Sequence, residues 1–243
     1  VEVAPREIST KDPRMTVSLI MNRWLPLPDA ILRMVVRCMP NPVEAQCQRL
    51  HTLLPKEVAE ELSGEGGGMS EEVRAVTADI ASCSTRTEAE VVVFVSKMIP
   101  VRVAELTPAD RAMLERHKEA REGLEMGSFS YDINAEVLMA LCRVFSGVLT
   151  KATTLHVLGS RAVTGPTLTS RHEVKSVAGK KLGFYLCLGP SVSPMNQVHA
   201  GNIAGIIGLE EAVLKTATLA STTSTPPLRP ISFQAQPMLR VAL

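Results

Sequence analysis

The sequence predicts a mainly β protein with added α structure, a β-barrel preceded by a small helical segment. Two observations carry this. From about residue 137 onward, short apolar and β-branched runs are punctuated by Gly147, Gly159, Gly165-Pro166, Gly189-Pro190 and Gly201-Asn202, at the intervals an all-β barrel requires. In the first 55 residues, by contrast, apolar residues recur at spacings of three and four between proline and capping signals. Of the 243 residues 45% are hydrophobic, which suits a folded core, and only 3% are aromatic, so that core must rest on Val, Ile, Leu, Met and Ala.

Val17, Ile20 and Trp24 place a helix over residues 11–24, stopped by Pro26 and Pro28. Asp29 is expected to cap a second helix reaching Met39, with Ile31, Met34, Val35 and Cys38 on one stripe. Asn41-Pro42-Val43-Glu44 combines an N-cap residue, a proline at the first helical position and a glutamate able to reach back, so a third helix starts there and ends near Leu54-Pro55. Residues 64–68, Gly-Glu-Gly-Gly-Gly, read as a flexible linker. They lack the following Lys-Ser/Thr pair of a phosphate loop. Ser70-Glu71-Glu72 then caps a short helix carrying Val73, Val76 and Ile80.

Residues 91–103 form the first strand. Thr107-Pro108-Ala109-Asp110 opens a charged helix to about Glu125 whose apolar face is slight, so it is expected to be a solvated insertion with a mobile tip over 127–134. Further strands are expected over 137–145, 153–158, 181–188, 203–208, 214–220 and 231–235. The run from Ala200 to Leu219 reads as a Gly-rich hairpin, with Ile203, Ile206 and Ile207 on one strand and Leu214, Ala217 and Leu219 on the returning one. Pro226-Pro227 and Pro230 mark an exit linker, since consecutive prolines cannot join a central strand. The expected organisation is therefore a helical lead-in (1–56), a flexible linker and short helix (57–90), a barrel (91–225) with a helical insertion at about 104–136, and a linker with the first strand of a next domain (226–243). A start at Val1 and a stop at Leu243 inside an apolar run suggest a piece of a longer protein.

A net charge of +1 conceals an uneven distribution: residues 56–136 carry nine basic and seventeen acidic side chains, while 137–243 carry ten basic and three acidic. Such asymmetry speaks about partners rather than fold. The five cysteines are irregularly spaced without a C-x-x-C, which disfavours structural zinc, and their apolar neighbours point to reduced, buried thiols of an intracellular protein. The five histidines show no ligand spacing, and Ser146 lacks the G-x-S-x-G elbow of a hydrolase nucleophile. Neither an apolar run of ~18 residues nor a charged-then-apolar N-terminal stretch is visible, so no membrane contact is expected.

Five blocks carry a resemblance. They are Trp24-Leu25-Pro26 with Pro40-Asn41-Pro42-Val43-Glu44-Ala45-Gln46, Val95-Ser96-Lys97-Met98-Ile99-Pro100, Arg143-Val144-Phe145-Ser146-Gly147, Gly201-Asn202-Ile203 through Lys215-Thr216-Ala217-Thr218-Leu219, and Pro237-Met238-Leu239-Arg240-Val241. In this order they resemble the translational GTPases of the elongation factor G and elongation factor 2 type, from the end of the helical lead-in through the domain II barrel to the start of domain III. Within that superfamily Trp24-Leu25-Pro26-Leu27-Pro28, the insertion and Pro226-Pro227 are more similar to the elongation-factor-2-like ribosome-assembly GTPases than to the translocase, elongation factor 2. The resemblance implies a cytoplasmic parent that uses GTP and Mg²⁺ and evicts an anti-association factor from the large ribosomal subunit together with the Shwachman–Bodian–Diamond syndrome protein. The sequence itself contains no G-x-x-x-x-G-K-[ST], D-x-x-G or N-K-x-D, so these residues carry no catalytic, cofactor or metal site. The translocase, elongation factor 2, and a free-standing β-barrel that binds RNA or protein stand as alternatives, and the chain is expected to be monomeric.

Functional content concentrates in the zone from Lys151 to Lys181. Lys151, Arg161, Arg171, Lys175, Lys180 and Lys181 face a single Glu173, among hydroxyls suited to phosphate and sugar contacts. Two readings stand: a solvated loop that keeps the barrel soluble, or salt-dependent docking on ribosomal RNA without sequence choice. Aromatics are too few for a single-strand stacking platform.

Overall fold

The computed structural model describes residues 12–62, 70–159, 174–189 and 191–230. The expected Gly-rich linker over 64–68 and the strands over 231–235 and at 237–241 lie outside these residues. The chain divides into two compact units, residues 1–41 and residues 42–243.

In the first unit α1 (Pro13–Trp24) and α2 (Leu27–Cys38) form as the apolar periodicity predicts. Asp12 caps α1, accepting the Arg14 N–H at 3.0 Å. Asp29 does not cap α2. The helix begins one turn earlier at Leu27, because Pro28 supplies a fixed φ at the start and Asp29 then sits in the positively polarised first turn. Neither helix has a buried residue: Ile31, Met34, Val35 and Trp24 are all exposed.

The second unit is mixed α/β and built on a large antiparallel sheet. Its strands are β1 (Val92–Arg102), β2 (Glu136–Ser146), β3 (Val148–Thr150), β4 (Thr154–Gly159), β5 (Lys175–Ala178), β6 (Gly183–Leu188), β7 (Ser191–Met195), β8 (Gln197–His199), β9 (Ile203–Ile207) and β10 (Ala217–Ala220). Eight of them lie in the order β5-β4-β10-β1-β2-β9-β6-β7, and β3 pairs with β8 in a separate ribbon. β5 and β7 stand at opposite ends, so the described strands form an open sheet rather than the closed barrel expected from the sequence. The hairpin expected between Ala200 and Leu219 is also absent. β9 pairs with β2 and β6, β10 pairs with β1 and β4, and the two are separated by β1 and β2. Strand propensity located both segments correctly, but the bulky residues of β9 and β10 find their cross-strand partners elsewhere in the sheet.

β1 explains why alternation was hard to read. Its register against β2 shifts between Val95 and Lys97, leaving Ser96 as an extra residue whose hydroxyl donates to the Leu141 carbonyl at 2.9 Å. The bulge inverts side-chain parity. Val93 and Val95 enter the main core before it and Met98 packs there after it, while Val92 and Phe94 serve the opposite face. Both faces are covered, so the strand reads as a continuous apolar run. The main core gathers β1, β2, β4, β6, β9 and β10 beneath the β3–β8 ribbon through Val93, Val95, Cys142, Val144, Leu149, Leu155, Phe184, Val198, Ile206 and Leu219. Gly147, expected as the turn after β2, has φ +77°, and a Cβ there would come 2.9 Å from the Val91 backbone.

Three helices complete the sheet's helical cover. α3 (Pro42–Leu53) and α5 (Glu71–Ala81) bury Leu54, Val76 and Ile80 against Val92, Phe94 and Phe145. The short α4 (Lys56–Leu62), unforeseen in the sequence, links them, with Val58 packed on the same cluster. Gln46, 1% exposed, holds this assembly to the sheet: its amide donates to the carbonyls of Ile80 (2.7 Å) and Phe145 (2.9 Å), and its oxygen accepts from Arg143 Nη2 (3.3 Å). The charged insertion forms α6 (Pro108–Glu122), and it is not solvated. Leu114 is 2% exposed and packs with Val101, Leu106, Met139, Tyr185 and Ile207, while Asp110 and Glu119 are buried as well. Leu114, the half-buried Met113 and two hydrogen-bonded carboxylates dock it, which the slight apolar face of the helix did not suggest. The loop over 127–134 is tied back likewise. Glu119 accepts the Phe129 N–H at 2.9 Å, Glu115 accepts the Tyr131 N–H at 3.0 Å, and Lys118 Nζ lies 4.0 Å above the Phe129 ring.

Candidate nucleic-acid interface

Four of the six basic residues singled out by sequence lie within the described residues; Arg161 and Arg171 do not. Lys151 occupies the turn from β3 to β4, Lys175 opens β5, and Lys180 and Lys181 lie in the 3-10 turn Gly179–Lys181 that leads into β6. The two turns are stitched together. The Gly179 N–H donates to the Thr153 carbonyl at 2.9 Å, and a Cβ on Gly179 would stand 2.5 Å from that oxygen and 2.8 and 2.9 Å from those of Thr150 and Lys151. This close approach, open only to glycine, carries Lys180 and Lys181 to the turn that bears Lys151. All four lysines are exposed.

The sequence missed what lies beside them. α6 and the segment after β9 bring acidic groups among the lysines. Asp110, in its first turn, has Oδ1 3.7 Å from Lys151 Nζ. Arg121, in its last turn, has Nη1 3.7 Å from Glu211, whose backbone carbonyl accepts from Lys175 Nζ at 3.2 Å. His117 between them has its pKa lowered, first by burial and then by the positive charge of Lys181, with Glu210 and Glu211 acting the other way. The acidic and basic halves of the sequence therefore meet within one fold, and part of the charge asymmetry is consumed internally.

Asp110 is the centre of that arrangement. Thr107 caps α6 by accepting the Asp110 N–H at 3.2 Å, and its hydroxyl donates to Asp110 Oδ2 at 2.8 Å. The same oxygen accepts from the Tyr185 hydroxyl at 2.5 Å, and Tyr185 Oη in turn accepts the Thr107 N–H at 3.1 Å. Tyr185 is fully buried, and burial, followed by its bond to the carboxylate, pushes the phenol up to about 12. The cap was legible from Thr107-Pro108-Ala109-Asp110. Tyr185 lies 75 residues further on and carries no local signal of the partnership.

The remaining candidates are structural or silent. The five cysteines are free: Cys83 and Cys142 are buried as expected, whereas Cys38 and Cys47 are exposed. Burial raises the Cys142 thiol far above its ordinary range, which leaves it inert. Ser146 is fully buried, and its hydroxyl has no hydrogen-bond partner among the described residues. Among the described residues no group of His, Cys, Asp and Glu is arranged to hold a metal, and no helix is long and apolar enough to cross a membrane. A guanine nucleotide and its Mg²⁺ do not fit the residues present, because no glycine-rich loop carries the lysine and hydroxyl that phosphate and metal require.

What remains is an edge of lysine-bearing turns beside a docked, charged helix. No family profile matches the chain. Along its entire length, however, it is 28% identical to "Ribosome assembly protein 1" of Schizosaccharomyces pombe. It is likewise 26% identical to "Elongation factor-like GTPase 1" of Mus musculus and 27% identical to that of Homo sapiens. The chain is related to the elongation-factor-2-like ribosome-assembly GTPases. It spans about a quarter of the length of these proteins, 26% of the first two and 27% of the third. The five blocks quoted from the sequence lie within the residues that this similarity covers. In this relative of the ribosome-assembly GTPases, three of the blocks occupy β1, β2 with its turn, and the segment from β9 to β10.

Proposed function

We propose that this chain is part of a cytoplasmic GTPase that matures the large ribosomal subunit by promoting release of its anti-association factor, and that these residues supply a ribosome-docking module rather than the hydrolytic centre. The observation that carries the reading is similarity over the whole chain to proteins named for ribosome assembly and for elongation-factor-like GTPase activity. The open sheet and the β3–β8 ribbon, sharing one core, correspond to domain II of such a factor, with residues 1–56 as its lead-in and 226–243 as the approach to domain III. GTP and Mg²⁺ are handled by parts of the parent outside these residues, and the Shwachman–Bodian–Diamond syndrome protein acts with the parent. Lys175, Lys180 and Lys181, together with Arg161 and Arg171, contact ribosomal RNA phosphates, and Lys151 stands in the turn beside them. The stitched turns support this by presenting Lys180 and Lys181 without a carboxylate in ion-pair range among the described residues.

Sedimentation of the 243-residue chain with purified large subunits over a salt series tests the reading. Binding should weaken steeply with salt, as counterion release demands, and reversing Lys180 and Lys181 to Glu should abolish it. Undiminished binding by the reversed variant would refute RNA docking at these turns.

A further inference from the structure

Asp110 joins α6, β6 and the β3–β4 turn at a single carboxylate. Its two oxygens have different surroundings. Oδ2 is occupied by the Tyr185 and Thr107 hydroxyls, whereas Oδ1 faces Lys151 Nζ at 3.7 Å. The carboxylate cannot swing out to solvent, because Asp110 is 6% exposed and clamped from both neighbours. Gly183 of β6 admits it: a Cβ there would lie 3.0 Å from Asp110 Cγ. The Lys151 side chain, by contrast, is 52% exposed and open to a ligand. A mobile cation therefore sits beside a fixed anion.

We propose that Asp110 is an internal counter-ion that withholds Lys151 from phosphate, and so sets how many RNA phosphates the basic turns engage. The proposal rests on the RNA-docking reading above. Held on Asp110, Lys151 neutralises no phosphate, so no cation condensed on the RNA is released through it and the salt dependence of binding carries no increment from it. Lys180 and Lys181 lack such a partner among the described residues and contribute in full. Asp110 is thereby a specificity-determining residue: it lowers general affinity for polyanions and favours a surface that engages the free lysines.

The experiment is fluorescence anisotropy of a labelled single-stranded RNA oligonucleotide with the full 243-residue chain across a KCl series. Each phosphate neutralised on a single strand adds about 0.7 to the slope of log K against log salt. Asp110→Asn keeps an oxygen for the Tyr185 and Thr107 hydroxyls and should steepen the slope by about 0.7 while tightening binding at low salt. Lys151→Gln alone should leave the slope unchanged, and adding Lys151→Gln to Asp110→Asn should cancel the gain. An unchanged slope in a folded Asp110→Asn, or a slope about 0.7 shallower in Lys151→Gln alone, overturns the proposal. The second result decides it even where Asp110→Asn fails to fold. Lys180→Gln with Lys181→Gln tests the underlying reading separately. If that pair leaves binding intact, RNA docking at these turns is wrong. If it removes binding while Asp110→Asn has no effect, only the counter-ion role is wrong.

Discussion

Leu114→Ala distinguishes a docked α6 from a solvated insertion. Leu114 is 2% exposed, and its neighbours Val101, Met139, Tyr185 and Ile207 sit on four strands held by the ladder, so the site cannot readily collapse around a missing isobutyl group. Truncating a buried leucine costs about 2–5 kcal/mol, towards the upper part of that range where surroundings are rigid. We expect about 3–4 kcal/mol. With a urea slope of roughly 2 kcal/mol per molar for a unit of this size, the unfolding midpoint should fall by about 1.5–2 M. Met126→Ala is the control. It lies in the same insertion at 87% exposure and should change stability by no more than about 0.5 kcal/mol. Urea unfolding followed by circular dichroism gives the global value, and amide hydrogen exchange in α6 reveals whether the helix detaches before the sheet unfolds. A Leu114→Ala chain indistinguishable from Met126→Ala by both measurements would refute the docking of α6.

Two further outcomes follow from the same edge of the molecule. Gly179→Ala places a methyl group 2.5 Å from the Thr153 carbonyl oxygen, so it should destabilise by about 1–3 kcal/mol and loosen the turns that carry Lys151, Lys180 and Lys181, read as lost amide protection at Gly179 and Leu182. Tyr185 has a phenol raised to about 12 against an ordinary value of about 10. The folded state therefore keeps a proton that the unfolded chain loses. Its contribution is complete below pH ~10 and declines by at most about 1.4 kcal/mol per pH unit between ~10 and ~12. Urea unfolding over that interval should show a decline, and Tyr185→Phe should remove that component; an identical decline in the variant would contradict the assignment.

Much of this architecture was legible because it rests on local rules. Ser70 and Thr107 stand at helix starts as capping residues, accepting the N–H groups of Val73 at 3.4 Å and Asp110 at 3.2 Å. Val92–Arg102, Glu136–Ser146 and Ile203–Ile207 lie within a residue or two of their expected bounds, since strongly β-branched and apolar runs seldom form anything else. The short strands β3, β5, β7 and β8 escaped notice. They hold three to five residues, several of them Ser, Thr, Gln and Pro, and exist only because a neighbouring strand completes their hydrogen bonds. At the candidate site the basic composition was visible, while its acidic neighbours Asp110 and Glu211 were not. Asp110 precedes Lys151 by 41 residues and Glu211 follows it by 60, separations at which no periodic signal survives.

By itself the sequence determined the segments, their caps, the lysines of the loop zone and the kinship with ribosome-assembly GTPases. These are properties of side chains acting on their own backbone or of residues read in order. Only the tertiary structure decided which strands pair, that α6 docks, and that a lysine from the basic half meets a carboxylate from the acidic half. Pairing of Ile203–Ile207 with β2 and β6 instead of β10, and of Lys151 with Asp110, depends on summed burial and charge across the whole sheet. No single stretch of chain carries that sum, because each partner's contribution is fixed only once the other elements have packed.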